Sequence, residues 1–419
     1  MRIALLSYRS KAHSGGQGVY VRHLSRELVA LGHEVEVLSG QPYPDLDAGV
    51  TLTKVPSLDL YREPDPFRRP HWREFGSAVD VLEYALMCTA AFPEPLTFSL
   101  RAARILTGRS ARPDVVHDNQ TLGYGTWWLE RRGFRVVATV HHPITVDRRI
   151  DLAGAVGARR RFALRRWYSF LPMQARVARR LSSLITVSTS SHDDVVRDFG
   201  VDPARICVVP VGVDAEVFTP PDAPRVPGRL VVTASADVPQ KGLVPLLEAL
   251  AKLRTERDVN LVVVGRCASG GATDLAVQRL GLGEAVRFVH GISDSALAQL
   301  LGSASVAVVP SLYEGFSLPA VEAMACGTPL VASTGGALPE VVGPDGLTAL
   351  HVPPGNAEAL TGAISRVLDD PVLAARMGER GRARVLQHFT WRSTAAQTVA
   401  AYQRELDRTP DDRPSAAPC

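Results

Sequence analysis

Val309–Val331 reads VPSLYEGFSLPAVEAMACGTPLV, and this stretch decides how the rest of the chain is laid out. The apolar run Ala304–Pro310 overlaps its first residues and has the length and β-branched content of a buried strand. A short loop follows, then a helix with its N-cap expected at Ser317 and Pro319 in the first turn, where a missing N–H costs nothing. Gly327 is expected to end that helix before a further strand, Pro329–Ser333. Between Glu314 and Glu340 the only charged residue is Glu322. Its helical neighbours at three and four positions are Leu318, Pro319, Ala325 and Cys326, so its carboxylate is expected off the solvated face.

A buried carboxylate is costly unless it is paired or hydrogen-bonded. Glu322 therefore needs a partner, and a diol that binds and leaves would serve. Glu314 lies upstream just past the strand, where ligands of open parallel sheets bind. Two carboxylates around a helix N-terminus can accept hydroxyl hydrogens while the free backbone N–H groups meet a negative or carbonyl-like atom.

The Glu314-to-Glu322 spacing, inside PSLYEGFSLPAVEAMACGTPLVAS, resembles the signature of family 4 glycosyltransferases, retaining enzymes of the GT-B fold. The resemblance implies that Glu322 binds the ribose of a nucleotide. It also implies that Glu314 and the groups after it, Phe316, Ser317 and Leu318, hold the transferred sugar. Asp237-Val-Pro-Gln-Lys241-Gly242 resembles the family's Pro-x-Lys-Gly turn, whose Lys meets the donor phosphates. Relatives carry an Arg five residues earlier, where this chain has Ala236; Arg266, at the end of the next strand, is the candidate substitute.

Composition bounds the alternatives. A chain of 419 residues with 46% hydrophobic content predicts two ordinary domains of a soluble α/β protein. The most apolar segment, Val81–Leu100, is interrupted by Glu83, Pro93, Glu94 and Pro95, too often for a membrane span. Met1–Tyr8 is too short for a secretory signal, and a cytoplasmic location is expected. The five cysteines are scattered without Cys-x-x-Cys spacing, so neither a disulfide framework nor a metal site is indicated. Asp45-x-Asp47, the one Asp-x-Asp in a loop, has no apolar strand end before it and is discounted as a metal motif. No cofactor is implied beyond the nucleoside diphosphate sugar as co-substrate.

Net charge is only +4, yet Arg159–Leu181 holds eight arginines and no acid. Phe162, Leu164, Trp167, Tyr168, Phe170 and Leu171 interleave with them as an apolar stripe. Three readings stay open: a solvated scaffold helix, an arm on anionic lipid headgroups at the inner face of a membrane, or a wall for a phosphorylated acceptor. Nucleic acid is not expected, because the aromatics follow a packing face and no nucleic-acid motif accompanies them.

Earlier in the chain, strand Arg2–Ser7 precedes Ser14-Gly15-Gly16-Gln17-Gly18, a glycine turn that lets the backbone approach a phosphate. The resemblance covers this loop too, and assigns Gly16 to the donor and Gln17 to the acceptor. Ser57–Arg112 is an insertion with two helical patterns, Arg73–Ala91 and Leu96–Leu106, the first placing Phe75, Val79, Leu82, Leu86 and Ala90 on one face. It is expected either to shape acceptor choice or to serve as scaffold. Strands Asp114–His117 and Arg135–Val140 end in polar clusters, His117 to Gln120 and His141-His142. Thr139 and His141 match the family's Thr-x-His element, whose His contacts the transferred sugar; Asn119 and His142 are assigned to the acceptor.

The expected organisation is two doubly wound, Rossmann-like α/β domains facing across a cleft, of GT-B type. An acceptor domain spans 1–215 and is completed by 391–407, as the resemblance implies. A proline-rich linker spans 216–228, a nucleotide-sugar domain 229–390 and a disordered tail 408–419. The expected reaction moves a hexose from a UDP- or GDP-linked donor, with retention, to a sugar, lipid-linked or small-molecule hydroxyl. Lys241, Glu314 and His141 are the candidate catalytic residues. Two rivals are a degenerate transferase serving as a nucleotide-sugar-binding partner subunit, and a phosphorylase or epimerase on the same fold.

Overall fold

The computed structural model describes residues 1–10, 16–62, 64–234 and 238–409. Ser14 and Gly15 of the glycine turn, Ala236 and Asp237 of the lysine turn, and residues 410–419 of the expected tail lie outside the described residues. The chain divides into two units: Met1–Val187 with Ser191–Val209 and Thr394–Cys419, and Ser188–Ser190 with Pro210–Ser393.

The first unit is a seven-stranded sheet in the order β3-β2-β1-β4-β5-β6-β7. Its strands are β1 Arg2–Ser7, β2 Glu34–Ser39, β3 Val50–Lys54, β4 Val115–Asn119, β5 Val136–Val140, β6 Ser183–Thr186 and β7 Ile206–Val208. Every pairing is parallel. Parallel strands covered on both faces are mostly apolar, and β4 and β5 are buried at every residue, β4 carrying the polar His117, Asp118 and Asn119 only at its carboxyl end. The strand order reverses between β1 and β4, where Leu6 stands opposite Asp118.

The second unit is a six-stranded parallel sheet in the order β10-β9-β8-β11-β12-β13. Here β8 is Val226–Thr233, β9 Asn260–Val264, β10 Val286–Val289, β11 Ala304–Val309, β12 Leu330–Ser333 and β13 Leu350–Val352. Its core packs Leu246, Leu247 and Leu250 of helix Leu243–Leu253 with Leu261, Val306, Val331 and Ile364. The reversal falls between β8 and β11. In such sheets the crevice beyond the carboxyl ends of the two diverging strands is where ligands bind. Each unit is therefore doubly wound, the architecture the sequence implies.

Two helical expectations need correction. The pattern over Arg73–Ala91 resolves into a single turn at Trp72–Glu74 and a helix at Ala78–Cys88. That helix buries Glu83 and leaves Leu82 and Val81 exposed. The inward face is set by Arg101 of the next helix, Glu94–Thr107, whose guanidinium binds both Asp80 and Glu83. The arginine-rich stretch is likewise not one helix: Ala158–Trp167, a turn at Tyr168–Phe170 and Leu171–Ala178 succeed one another. Pro172, which cannot donate a backbone hydrogen bond, sits where the last of them starts. Phe162 on the first is 65% exposed, so the apolar stripe is not continuous with the core. Among the described residues no helix is long and apolar enough to cross a membrane.

Candidate active site

Lys241 and Glu314 come from the two strands that diverge in the second unit. The chain leaves β8 and reaches Lys241 in a helical turn, Pro239–Lys241, closed by Gly242 at φ 65°. A Cβ at Gly242 would lie 2.0 Å from the Pro310 carbonyl oxygen, so only glycine lets this turn press against the end of β11. Leu312 N–H donates to Gln240 O at 2.7 Å and ties the two loops together. Lys241 Nζ stands 2.8 Å from Glu314 Oε1, and Ser311 Oγ donates to the same oxygen at 2.7 Å. From the other side, Ala337 N–H donates to Glu314 O at 2.9 Å. A Cβ on Gly336 would come within 2.3 Å of that same carbonyl. The Glu314 backbone is thus fixed by two neighbours and its carboxylate by a cation and a hydroxyl.

Helix Leu318–Ala325 begins immediately after. Ser317 caps it, its Oγ accepting from Ala320 N–H at 3.4 Å with the backbone at φ 122°, a region costing a non-glycine residue of order 1–3 kcal/mol. Such strain persists where the surroundings impose it, and here it holds Phe316 (8% exposed) and Leu318 on either side of the cap. Glu322 sits on this helix half-buried, with no ion pair or side-chain hydrogen bond among the described residues. Burial pushes its carboxyl up to about 7, with the Asp294 charge adding to the shift. Arg266, exposed, stands two residues past β9 at the same end of the sheet. A cation ~4 Å from a diphosphate charge contributes about 4 kcal/mol at a cleft-like dielectric.

At the corresponding end of the first unit, His141 follows β5 and Asn119 closes β4. His141 Nε2 lies 2.8 Å from Asn119 Oδ1, and His141 N–H donates to Gln120 Oε1 at 2.8 Å. Gln120 Nε2 donates in turn to His142 O at 2.9 Å. The edge of Tyr20 meets the imidazole at 4.8 Å between centroids. Burial pushes His141 down to about 3, with His142 and His117 adding to it, so the ring is neutral at physiological pH. Asn119 Nδ2 is buried without a hydrogen-bond partner, an orphan donor beside the histidine. His142 is half-buried with its Nε2 2.9 Å from Asp147 Oδ2. Gly16 is exposed with open space where a Cβ would go, and the Gln17 side chain hydrogen-bonds Tyr8.

The sequence reading grouped His117 with the polar ends of strands, but it is fully buried and structural. Its Nδ1 meets the Tyr402 hydroxyl at 2.6 Å and its Nε2 meets Thr139 Oγ1 at 2.7 Å. Asp118 caps the turn that follows, accepting from Thr121 and Leu122 N–H. Sequence reasoning missed Ser311, Gln120's bracing role and Tyr20. Ser311 had a signal, a hydroxyl between a strand end and the first glutamate; Tyr20 had none, because an aromatic on an amphipathic helix reads as core.

Two family models cover the chain: "Glycosyltransferase Family 4" over residues 14–217 and "Glycosyl transferases group 1" over 221–384. The MMP alpha-(1->4)-mannosyltransferase of Mycolicibacterium hassiacum is 56% identical over 97% of this chain and 99% of its own length. Glycogen synthase of Mycobacterium tuberculosis is 32% identical over 99% of this chain and 97% of that protein. Among solved structures, sucrose-phosphate synthase from Thermosynechococcus elongatus aligns with a TM-score of 0.72 at 24% identity, over 96% of this chain and 99% of that one. Anabaena HepE in complex with UDP-glucose aligns at 0.71 and 16% identity, over 96% and 100%.

Proposed function

The chain belongs to the family 4 glycosyltransferases, and we propose that it moves a mannosyl residue from a nucleoside diphosphate mannose to a hydroxyl of a saccharide, with retention at the anomeric carbon. The observation that carries this is the Lys241–Glu314 pair at the mouth of the helix bearing an unpartnered Glu322. In this reading Lys241 turns from Glu314 to the diphosphate and neutralises the departing charge, which is the main electrostatic contribution to the rate. Glu314, released, accepts a hydroxyl hydrogen of the transferred sugar, and the N–H groups at Phe316, Ser317 and Leu318 face the phosphate or the sugar. Glu322 takes the ribose diol. Its neighbours are apolar, so a bound hydroxyl pair supplies the hydrogen bonds that its carboxylate otherwise lacks. Arg266 adds a second cation where the usual arginine is replaced by Ala236. On the first unit, neutral His141, held by Asn119 and Gln120, offers a polar atom to the sugar, while Gln17 and His142 meet the acceptor. Mannose is favoured because the relative named for an alpha-(1->4)-mannosyltransferase matches over nearly the whole length of both proteins.

Thermal shift with UDP, GDP and ADP and their sugars, followed by NMR of the product's anomeric configuration, tests this. Stabilisation by one nucleotide series and an axial product linkage is the expected result; stabilisation by none of them, or an inverted product, sinks the reading.

A second reading concerns the acceptor's location. Val156 is 90% exposed and Phe162 65%, beside Arg159, Arg160 and Arg161. Exposed apolar groups among cations favour contact with an anionic bilayer, and a lipid-linked acceptor at the inner face would follow. Co-sedimentation with anionic but not neutral vesicles, lost in Phe162→Asp, is its test.

A further inference from the structure

Thr398 and Tyr402 lie one turn apart on the helix Trp391–Asp407, which rejoins the first unit at Thr394. Both are fully buried. Their hydroxyls meet the two residues that hydrogen-bond Thr139, two positions before His141: Tyr402 reaches His117, and Thr398 reaches Tyr20.

The hydrogens along this line run one way. Thr398 Oγ1 donates its only hydrogen to Thr394 O at 2.7 Å, so toward Tyr20 it can only accept. The Tyr20 hydrogen is spent on Thr398, and Tyr20 accepts from Thr139 Oγ1, 3.2 Å away. Thr139, its hydrogen given, accepts from His117 Nε2 at 2.7 Å. Burial pushes His117 down to about 3, so the ring is neutral and, with its proton on Nε2, has a bare Nδ1. That nitrogen accepts at 2.6 Å from the Tyr402 hydroxyl, which burial keeps protonated. One helix carbonyl thus sets the sense of each bond as far as Tyr402. Packing alone would be served by Phe and Val at these two helix positions, without buried hydroxyls that each need a partner.

The line ends against the candidate sugar contact. Tyr20 meets the His141 ring at 4.8 Å between centroids and nearly perpendicular to it, at 87°. Asn119 Oδ1, which can only accept, holds the His141 proton on Nε2 and leaves Nδ1 as the acceptor of that ring. Asn119 fixes one nitrogen, and Tyr20 fixes the plane of the imidazole. We infer that Tyr402 and Thr398 are positioning residues for His141: through His117, Thr139 and Tyr20 they hold the imidazole in the plane from which Nδ1 accepts a hydroxyl hydrogen of the transferred sugar. This rests on the reading of His141 as a contact to that sugar.

The test uses the full chain carrying Tyr402→Phe, Thr398→Val or both. Tyr402→Phe takes the donor from His117 Nδ1, and Thr398→Val takes the acceptor from Tyr20. Each should lower kcat about tenfold and leave the KM for the nucleoside diphosphate sugar within about twofold. The double variant should be no worse than the poorer single, because both changes interrupt the same line. NMR of the imidazole nitrogens should show His117 as the Nε2–H tautomer in the wild type, and the His141 ring signals should move in Tyr402→Phe. Ala395→Gly, buried on the same helix but outside the line, should lower the melting temperature and leave kcat within about twofold. An Nδ1–H tautomer at His117, His141 signals unmoved by Tyr402→Phe, or kcat losses that multiply in the double variant and follow melting temperature throughout would each overturn the inference. Wild-type protein without sugar transfer would remove the sugar-contact reading of His141, while the NMR measurements would still decide whether the helix positions its ring.

Discussion

Lys241 Nζ and Glu314 Oε1 are 2.8 Å apart, so the cation from the β8 side and the carboxylate from the β11 side satisfy each other. The pair is partly exposed on the lysine side and mostly buried on the glutamate side. Removing one member leaves the other poorly solvated.

Lys241→Ala is therefore expected to lower kcat/KM on the order of 10²–10³-fold, the usual consequence of removing a charge-stabilising donor. Lys241→Arg should recover part of it. Steady-state kinetics with saturating acceptor checks this; a Lys241→Ala enzyme within threefold of wild type would show that the diphosphate is neutralised elsewhere.

Glu322 carries a pH signature. Its folded value, about 7, lies above its ordinary 4.5, so the folded protein holds a proton that the unfolded chain releases in that interval. Stability from this group is full below about 4.5, falls as pH rises and is gone above about 7. Glu322→Gln should flatten that decline, so that its melting temperature gains on wild type between pH 5 and 8. A diol that hydrogen-bonds the ionised carboxylate reverses the preference, and nucleotide affinity should rise over the same interval. Parallel melting curves and pH-independent nucleotide binding would contradict both expectations.

His141 is pushed down to about 3, so it does not gain a proton anywhere in the physiological range. Its ring resonances in NMR should stay constant from pH 5 to 8, and the pH profile of kcat should carry no step from it. Asn119→Ala frees the ring and should lower kcat by about tenfold, the usual scale for lost positioning of a contact residue being one to two orders of magnitude. A midpoint near 6.5 for this histidine would mean that its pocket opens to water.

Gly242→Ala should destabilise the second unit by about 1–3 kcal/mol, because φ 65° disfavours a side chain and the new Cβ meets the Pro310 carbonyl. Urea denaturation followed by far-UV dichroism gives the value. The same change should weaken nucleotide binding, since Lys241 is the residue before it.

Where local chemistry and tertiary packing agree, the structure was legible in advance. The β11 strand, the Ser317 cap, the helix carrying Glu322 and the Gly327 stop all follow from residue types within a few positions of one another, and each stands where the sequence places it. His141 at the end of β5 was legible for the same reason. The face of Ala78–Cys88 was not, because apolar spacing names Leu82 while an arginine eighteen residues on draws Glu83 inward. Nor was the partnership of His117 with Tyr402, which joins residues far apart in sequence through one buried hydrogen bond.

That bond has a consequence for how the protein is made. The chain leaves its first unit at Val209 and returns to it only at Thr394, and Tyr402 belongs to the returning segment. A ribosome that has delivered the whole of the amino-terminal sheet still holds, untranslated, the phenol that satisfies His117. The amino-terminal unit must wait, incomplete, while its neighbour is synthesised, and loss of the segment from Thr394 would damage the part of the enzyme that was translated first.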